Sequence, residues 1–253
     1  MMYLTKLTLL SPPISILSRE RYSRMDVDVA GINLLLDTPY YWSHRRAVME
    51  FLATHPIFRK RDFTGMSVSE QRSLVMEQVR VFTQESGLFC FRDYWENPAR
   101  WAATLEPVAY VGNNMLTKCG VLFSLFGATL AIVGSDYHRE SLWKDVQTLK
   151  MRGCFCLTEL GHGSDARSIE TVAVLCAETK EFILNTPSDS AQKYWIGGLA
   201  LHCSHGIVFA QLFVDGVNEG VHAFLVRLRD ENNNVVSGVH IMDCGAKSGL
   251  NGV

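Results

Sequence analysis

Between Gly153 and Asp165 an apolar run breaks into a polar turn, Gly153-Cys154-Phe155-Cys156-Leu157-Thr158-Glu159-Leu160-Gly161-His162-Gly163-Ser164-Asp165. Thr158 and Ser164 each carry a hydroxyl that donates and accepts hydrogen bonds. Glycines on either side of His162 let the main chain approach a flat ring closely. The chemistry is that of holding a ligand, and composition alone does not name it. Two other clusters suggest metal chemistry and fail on geometry. Cys154 and Cys156 share one face of a strand, but no matching ligand pair follows. His202 and His205, three apart at the opening of an apolar strand, turn to opposite faces.

A second run, Lys193-Tyr194-Trp195-Ile196-Gly197-Gly198-Leu199, sets aromatic residues before a Gly-Gly pair. The two runs resemble the flavin-contacting segments of the acyl-CoA oxidases, the first in the family's usual form Thr-Glu-Leu-Gly-His-Gly. Between them, Glu170-Thr171-Val172-Ala173 and Glu181-Phe182-Ile183-Leu184-Asn185-Thr186-Pro187-Ser188 are similar to the family's hairpin, at the expected spacing and without insertion. Lys118-Cys119-Gly120-Val121-Leu122-Phe123-Ser124-Leu125-Phe126-Gly127 and Gly245-Ala246-Lys247-Ser248-Gly249-Leu250-Asn251-Gly252 are similar to segments of branched-chain and oxidase-like members. The resemblance covers residues 35–253 and weakens toward the N-terminus.

The resemblance implies FAD-dependent oxidation of acyl-CoA to 2-trans-enoyl-CoA, with O2 reduced to H2O2, in peroxisomal fatty-acid β-oxidation and by a homodimer. Taking a proton from beside a thioester carbonyl and a hydride from the next carbon needs a hydrogen-bonded flavin and a base across the substrate from it. Residue by residue, Thr158 is implied to hydrogen-bond the flavin's pyrimidine edge and Gly197 to contact it through its main chain. Leu157 and Trp195 adjoin the same ring, and Ser164 lies near the acyl-CoA chain. Glu159 and His162 shape the loop. The family's base is a glutamate of a C-terminal helical half beyond Val253, so no catalytic residue is expected in this chain, which is expected to be inactive alone. A truncated isoform, a fragment or a partial gene model would each account for that. One alternative is a mitochondrial acyl-CoA dehydrogenase; Gly197-Gly198 speaks against it, since dehydrogenases usually carry Thr-Asn after Trp-Ile. The other is a non-catalytic fragment that pairs with a full-length subunit. No Ser-Lys-Leu peroxisomal signal stands at Asn251-Gly252-Val253.

The chain that must position these residues has 253 of them, 47 % hydrophobic, with a net charge of -2. That supports a sizeable core and leaves no basic stripe for nucleic acid. Arg19, Arg21 and Arg24 read as a solvated stretch. Seven cysteines without a regular framework fit a reducing compartment. The apolar stretch at residues 4–17 is broken by Pro12-Pro13 and too polar for a signal peptide, while few acids and scattered Arg and Ser leave a weak transit-peptide reading. No charge appears from Cys119 to Ser135, near the lower limit of ~17–25 for a membrane span; a buried helix in a soluble core, with no membrane partner, is the expectation.

Up to residue 152 the pattern is helical. Ser67 and Glu70 form a capping box before Leu74, Val75, Val79 and Phe82; Asn97-Pro98 starts a helix carrying Trp101 and Leu105; Ser135 caps one carrying Trp143, Val146 and Leu149. From Gly153 onward the period is that of strands. Residues 171–176 and 182–185 flank the turn Glu178-Thr179-Lys180, residues 206–214 and 221–228 flank another, and Asn232-Asn233-Asn234 makes a third. The expected fold is α+β. An N-terminal extension (1–34) leads to a helical domain (35–152), followed by an incomplete antiparallel β-barrel-like domain (153–253).

Overall fold

The computed structural model describes residues 28–59 and 63–253. The signal- and transit-peptide readings and the Arg19, Arg21, Arg24 stretch lie outside the described residues.

The helical part begins with α1 (Val29–Thr54), whose first turn is capped by the Asp28 carboxylate and which kinks at Thr38-Pro39. Proline lacks the N–H that a continuing helix needs, and Thr38 leaves the helical region. In α2 (Val68–Glu85) the capping box closes as the spacing predicts: the Glu70 amide donates to Ser67 Oγ at 3.2 Å, and the Ser67 amide donates to Glu70 Oε2 at 2.7 Å. Val75, Val79 and Phe82 then face the core, fully buried. A short α3 (Asp93–Glu96) precedes α4 (Pro98–Leu105), where the Asn97 side chain accepts from the Arg100 amide and Trp101 is buried.

Most of the uncharged stretch, from Cys119 to Ile132, lies within a continuous helix, Asn113–Ile132, made of α5 (Asn113–Cys119), a π-helical segment (Gly120–Gly127) and α6 (Ala128–Ile132), and its last three residues form the turn to the next helix. It is long and apolar enough to cross a membrane, yet 61 % of its most apolar window is packed inside the protein. Cys119, Leu122, Phe123 and Phe126 are in the core. Behind it, α7 (Asp136–Gln147) starts at Ser135, whose hydroxyl bonds His138 Nδ1 at 2.8 Å, and buries Val146.

Five strands follow: β1 (Gly153–Cys156), β2 (Val172–Cys176), β3 (Glu181–Asn185), β4 (His205–Val214) and β5 (Val217–Arg227). They form one open, mixed sheet rather than the antiparallel, barrel-like arrangement expected from the sequence. β2–β3 and β4–β5 are antiparallel hairpins, whereas β1 and β2 both pair parallel to β4. The reason is connection length. Tight turns can only reverse the chain, while the long segments 157–171 and 186–204 allow it to cross over and run parallel. β5 pairs along the whole of β4, so β1, at His205 to Val208, and β2, at Gln211 to Phe213, share the other edge end to end.

Both hairpins close at positive-φ residues, Lys180 in one and Asp215-Gly216 in the other. The second is a two-residue turn, so β5 starts four residues earlier than expected, at Val217, with a bulge at Leu212/Phe213 absorbing the register. Asn233 adopts φ 65° in the third turn. The sheet seats on the helices at Gly153, where an added Cβ would lie 2.0 Å from the Phe126 ring. A smaller cluster, Cys154, Cys156, Cys203 and Leu228, forms separately from the main core. Its thiols pack as apolar groups, with Cys154 and Cys156 Sγ 3.5 Å apart.

Candidate functional site

The first motif occupies the segment that leaves β4's edge after β1 and returns as β2; the second lies between β3 and β4. Main-chain pairing joins them. The Tyr194 amide donates to Thr158 O at 3.0 Å, the Leu160 amide to Gln192 O at 2.9 Å and the Gly161 amide to Ser190 O at 2.9 Å, with Glu159 and Lys193 bridged antiparallel. Gly161 is required at this ladder, since a Cβ there would meet Ser190 Cβ at 2.9 Å. Gly163, on the far side of His162, has nothing within 4 Å of its missing Cβ.

Glu159 is the pin beneath the ladder. Its buried carboxylate accepts from the amides of Glu170 (2.7 Å) and Thr171 (2.9 Å), from the Thr171 hydroxyl, and from Lys193 Nζ (3.0 Å). Burial alone would raise its pKa. The hydrogen bonds from Thr171, from the two amides and from Lys193 outweigh that and bring it down to about 2. An acceptor so saturated is no general base. His162 lies over it, Nδ1 3.3 Å from Glu159 Oε2 and Nε2 3.8 Å from Glu170 Oε1. Glu170 is itself held by Ser188 and Ser190, both at 2.7 Å.

Above the pin the face is apolar and open. Trp195, in a left-handed conformation at φ 64°, is 61 % exposed and Tyr194 45 %, with Leu157 half-buried across the ladder, while Ile196 packs against the Cys154, Cys156, Cys203 and Leu228 cluster. The Thr158 hydroxyl donates to Tyr194 O at 2.7 Å, which leaves its oxygen free to accept. Gly197 packs inward rather than toward that face: a Cβ there would stand 3.0 Å from Val121 Cγ2 and 3.3 Å from Val253 Cγ1. Gly198, at φ 77°, has Cys203 Sγ 2.9 Å from its missing Cβ. The two hollows described among these residues hold no more than about 10 Å³ of water-sized space, far less than the ~300–1,000 Å³ of a small-molecule pocket.

A profile of the acyl-CoA dehydrogenase middle domain matches residues 154–253. Over 203 residues, 78 % of the chain, the sequence is 40 % identical to the peroxisomal acyl-coenzyme A oxidase 3 of Arabidopsis thaliana. The chain belongs to the acyl-CoA oxidase family. It spans 29 % of the length of that oxidase. Its fold is that of the acyl-CoA oxidase 1 from Yarrowia lipolytica, with a TM-score of 0.81 at 24 % identity over 92 % of this chain and 34 % of the other. A Caenorhabditis elegans acyl-CoA oxidase-2, crystallised with FAD, ascaroside-CoA and ATP, aligns at a TM-score of 0.71 and 26 % identity, over 88 % of this chain and 33 % of that one.

Of the residues singled out by resemblance to the acyl-CoA oxidases, the structure brings Leu157, Thr158 and Trp195 together on one ladder. Gly197 stands just beyond, turned toward the helices. Ser164 lies apart, exposed in the loop. Sequence reasoning passed over Lys193, which donates to Leu157 O at 3.1 Å as well as to Glu159. Lys118, read only as the start of a resembling segment, and His202, weighed only as a metal ligand, meet at 3.3 Å. Lys118 had a signal, a lone charge opening a long uncharged helical run. Among the described residues no group of three or more His, Cys, Asp or Glu is placed to hold a metal ion.

Proposed function

We propose that the chain supplies the flavin-contacting part of an FAD-dependent acyl-CoA oxidase of peroxisomal fatty-acid β-oxidation, which converts acyl-CoA to 2-trans-enoyl-CoA and works as a homodimer in its full-length form. In this reading residues 35–152 form a helical domain behind a flavin-contacting β-domain, residues 153–253. The observation that carries it is the ladder joining Thr158 to Tyr194, because it sets two motifs some 36 residues apart side by side with the types of group an isoalloxazine needs. The presence of FAD in the C. elegans oxidase-2 crystal structure supports the same cofactor here.

The donor set fits such a ring. Its pyrimidine edge carries an N–H, and the Thr158 oxygen, with its own hydrogen committed to Tyr194, is an acceptor. Trp195 and Leu157 supply an apolar wall, and Trp195 can stack. Bound FAD would accept the hydride and pass electrons to O2. The chain's own residues do the holding: Thr158 orients the edge, Glu159 and Lys193 fix the loop from below, and Trp195 keeps water from one side. Ser164, exposed in the same loop, would face the acyl-CoA chain. The base is proposed to lie outside this chain.

The test is titration of FAD with the purified chain, followed by flavin fluorescence. Trp195→Ala should weaken binding about 5- to 100-fold, the loss of one stacked aromatic contact at ~1–3 kcal/mol. Thr158→Val, which keeps the shape, should weaken it about 2- to 10-fold through one hydrogen bond worth ~0.5–1.5 kcal/mol. Equal affinities across all three chains would refute the assignment.

A further inference from the structure

Cys154 and Cys156 of β1 and Cys203, two residues before β4, share one buried cluster with Leu228, and none of the three is more than 3 % exposed. Cys154 Sγ stands 3.5 Å from Cys156 Sγ. Both sulfurs face Gly206 of the neighbouring strand, where an added Cβ would lie 3.4 Å from Cys154 Sγ and 3.1 Å from Cys156 Sγ. Cys203 reaches the cluster from the turn that follows the second motif, its sulfur 2.9 Å from the place of a Cβ on Gly198.

The surroundings of Cys203 set it apart from a thiol that only fills space. Arg229 donates to the carbonyls of Cys203 at 2.8 Å, Leu199 at 2.9 Å and Ala200 at 3.0 Å, and Arg152 Nε donates to His202 O at 2.8 Å. Two guanidinium groups are thus fixed around one turn, and Lys118 Nζ lies 3.8 Å from the same Gly198 Cβ position. A hydrogen bond from the Cys154 thiol, together with Lys118, Arg229 and Arg152, pulls Cys203 below the ordinary thiol value against its burial. Cys154 is held up by its hydrogen bonds to Cys156 and Cys203 and by burial. Cys119, equally buried beside Lys118 but without a thiol donor, is pushed up to about 12 by burial. Thiolate character and an adjoining resolving thiol are what a peroxide-sensitive cysteine needs.

We infer that Cys203 and Cys154 form a peroxide-responsive dithiol that closes to a reversible disulfide. The Cys203 sulfur attacks one oxygen of hydrogen peroxide: an S–O bond forms, the O–O bond breaks, and the departing hydroxide takes up the proton that the Cys203 thiol gave. The Cys154 sulfur then attacks that sulfur: the S–S bond forms, the S–O bond breaks, and a second hydroxide leaves as water with the Cys154 proton. The two thiols lose two electrons and peroxide gains them. Cys156 is a poor partner for Cys154. Residues two apart on an extended strand have Cα atoms ~6.6 Å apart, at the edge of a disulfide's reach of ~4.4–6.8 Å, and closing the bond would bend β1 out of its pairing with β4. Cys203 stands on a turn, which can give. The bond would tie the end of the second motif to the strand that runs into the first, so peroxide would act on the geometry of the ladder. The peroxide that the proposed oxidase releases is one source of oxidant, but the site does not depend on that reading. In a reducing compartment such a bond is transient.

The experiment treats the purified, reduced chain with a few equivalents of hydrogen peroxide, blocks remaining thiols with iodoacetamide and maps the digest without reductant. Trypsin leaves Cys154 and Cys156 on one peptide, residues 153–167, and Cys203 on another, residues 194–227; chymotrypsin, cutting after Phe155, then parts Cys154 from Cys156. The expected product joins Cys154 to Cys203, is lighter by two hydrogens than the two free peptides, disappears with dithiothreitol and forms more slowly when the chain is first unfolded in urea. Cys156→Ala should still form it, and Cys203→Ala should not. No cross-linked peptide from the folded chain, a cross-link through Cys156 in place of Cys154, or one that forms as readily in urea would each overturn the inference. The map of the unsubstituted chain decides the matter even where a variant does not fold.

Discussion

Glu159 sits in the first motif looking like an acid–base residue, and its surroundings give it another task. The donors that reach it come from two other parts of the site, residues 170–171 just before β2 and Lys193 of the second motif. Its removal should therefore loosen both motifs together. Glu159→Gln would leave Lys193, which lies mostly buried, without its counter-charge and would turn an amide N–H2 toward donors. The expected loss is about 3–5 kcal/mol, read as a lower urea midpoint with unchanged m-value. Lys193→Met, which removes the charge as well as the bond, should cost less. Equal costs would mean that the carboxylate, rather than the ion pair, carries the loop.

At the scale of elements, the joint between helix and sheet is Gly153 against Phe126. Any side chain at residue 153 must displace a ring that is itself fully buried. Gly153→Ala should cost about 1–3 kcal/mol by overpacking, and pairing it with Phe126→Leu should recover part of that loss; a simple sum of the two single costs would contradict the contact. The local devices that start and turn the elements were legible in the sequence. The Ser67 and Asn97 caps and the Asn232-Asn233-Asn234 turn work through residues within three or four positions, so spacing alone reveals them. The parallel pairing of β1 and β2 with β4 was not legible. Alternating apolar residues say which face of a strand is buried but not which neighbour it takes, and the expectation of an antiparallel sheet failed on that point. The early start of β5 escaped for a related reason: a two-residue turn continues pairing through residues too polar to read as strand.

For the whole molecule, acid should be the destabilising direction. His202 has its pKa lowered from 6.5 to about 4, and Glu159 from 4.5 to about 2. A depressed folded-state pKa means the unfolded chain binds protons more readily, so stability is present above the unfolded value and lost as pH falls. His202 sets a first window from 6.5 down to 4, and Glu159 a second from 4.5 down to 2. Unfolding free energies from urea titrations at pH 7, 5.5 and 4 should fall in turn, by about 2–3 kcal/mol from His202 alone, and His202→Asn should flatten the first step. An unchanged midpoint between pH 7 and 5 would contradict the buried, neutral histidine. A second expectation concerns turnover. The purified chain with FAD and a long-chain acyl-CoA should release no peroxide, because the one carboxylate pinned at the ladder is saturated with donors and general-base catalysis is worth ~100- to 10,000-fold. Turnover within about tenfold of a full-length relative would require a base on this chain.

The sequence by itself determined the family, through two short motifs whose glycine and aromatic spacing is specific, and the local starts and stops of the elements, which depend on neighbours along the chain. Only the tertiary structure decided that the motifs share a ladder, that Glu159 supports the loop, that Gly197 faces Val121, and that Lys118 meets His202 across 84 positions. Each of those depends on which distant backbones lie within a few ångströms, and hydrogen-bond and packing energies fall away over that distance. A pattern read along one chain contains no such information until the sheet has closed on the helices.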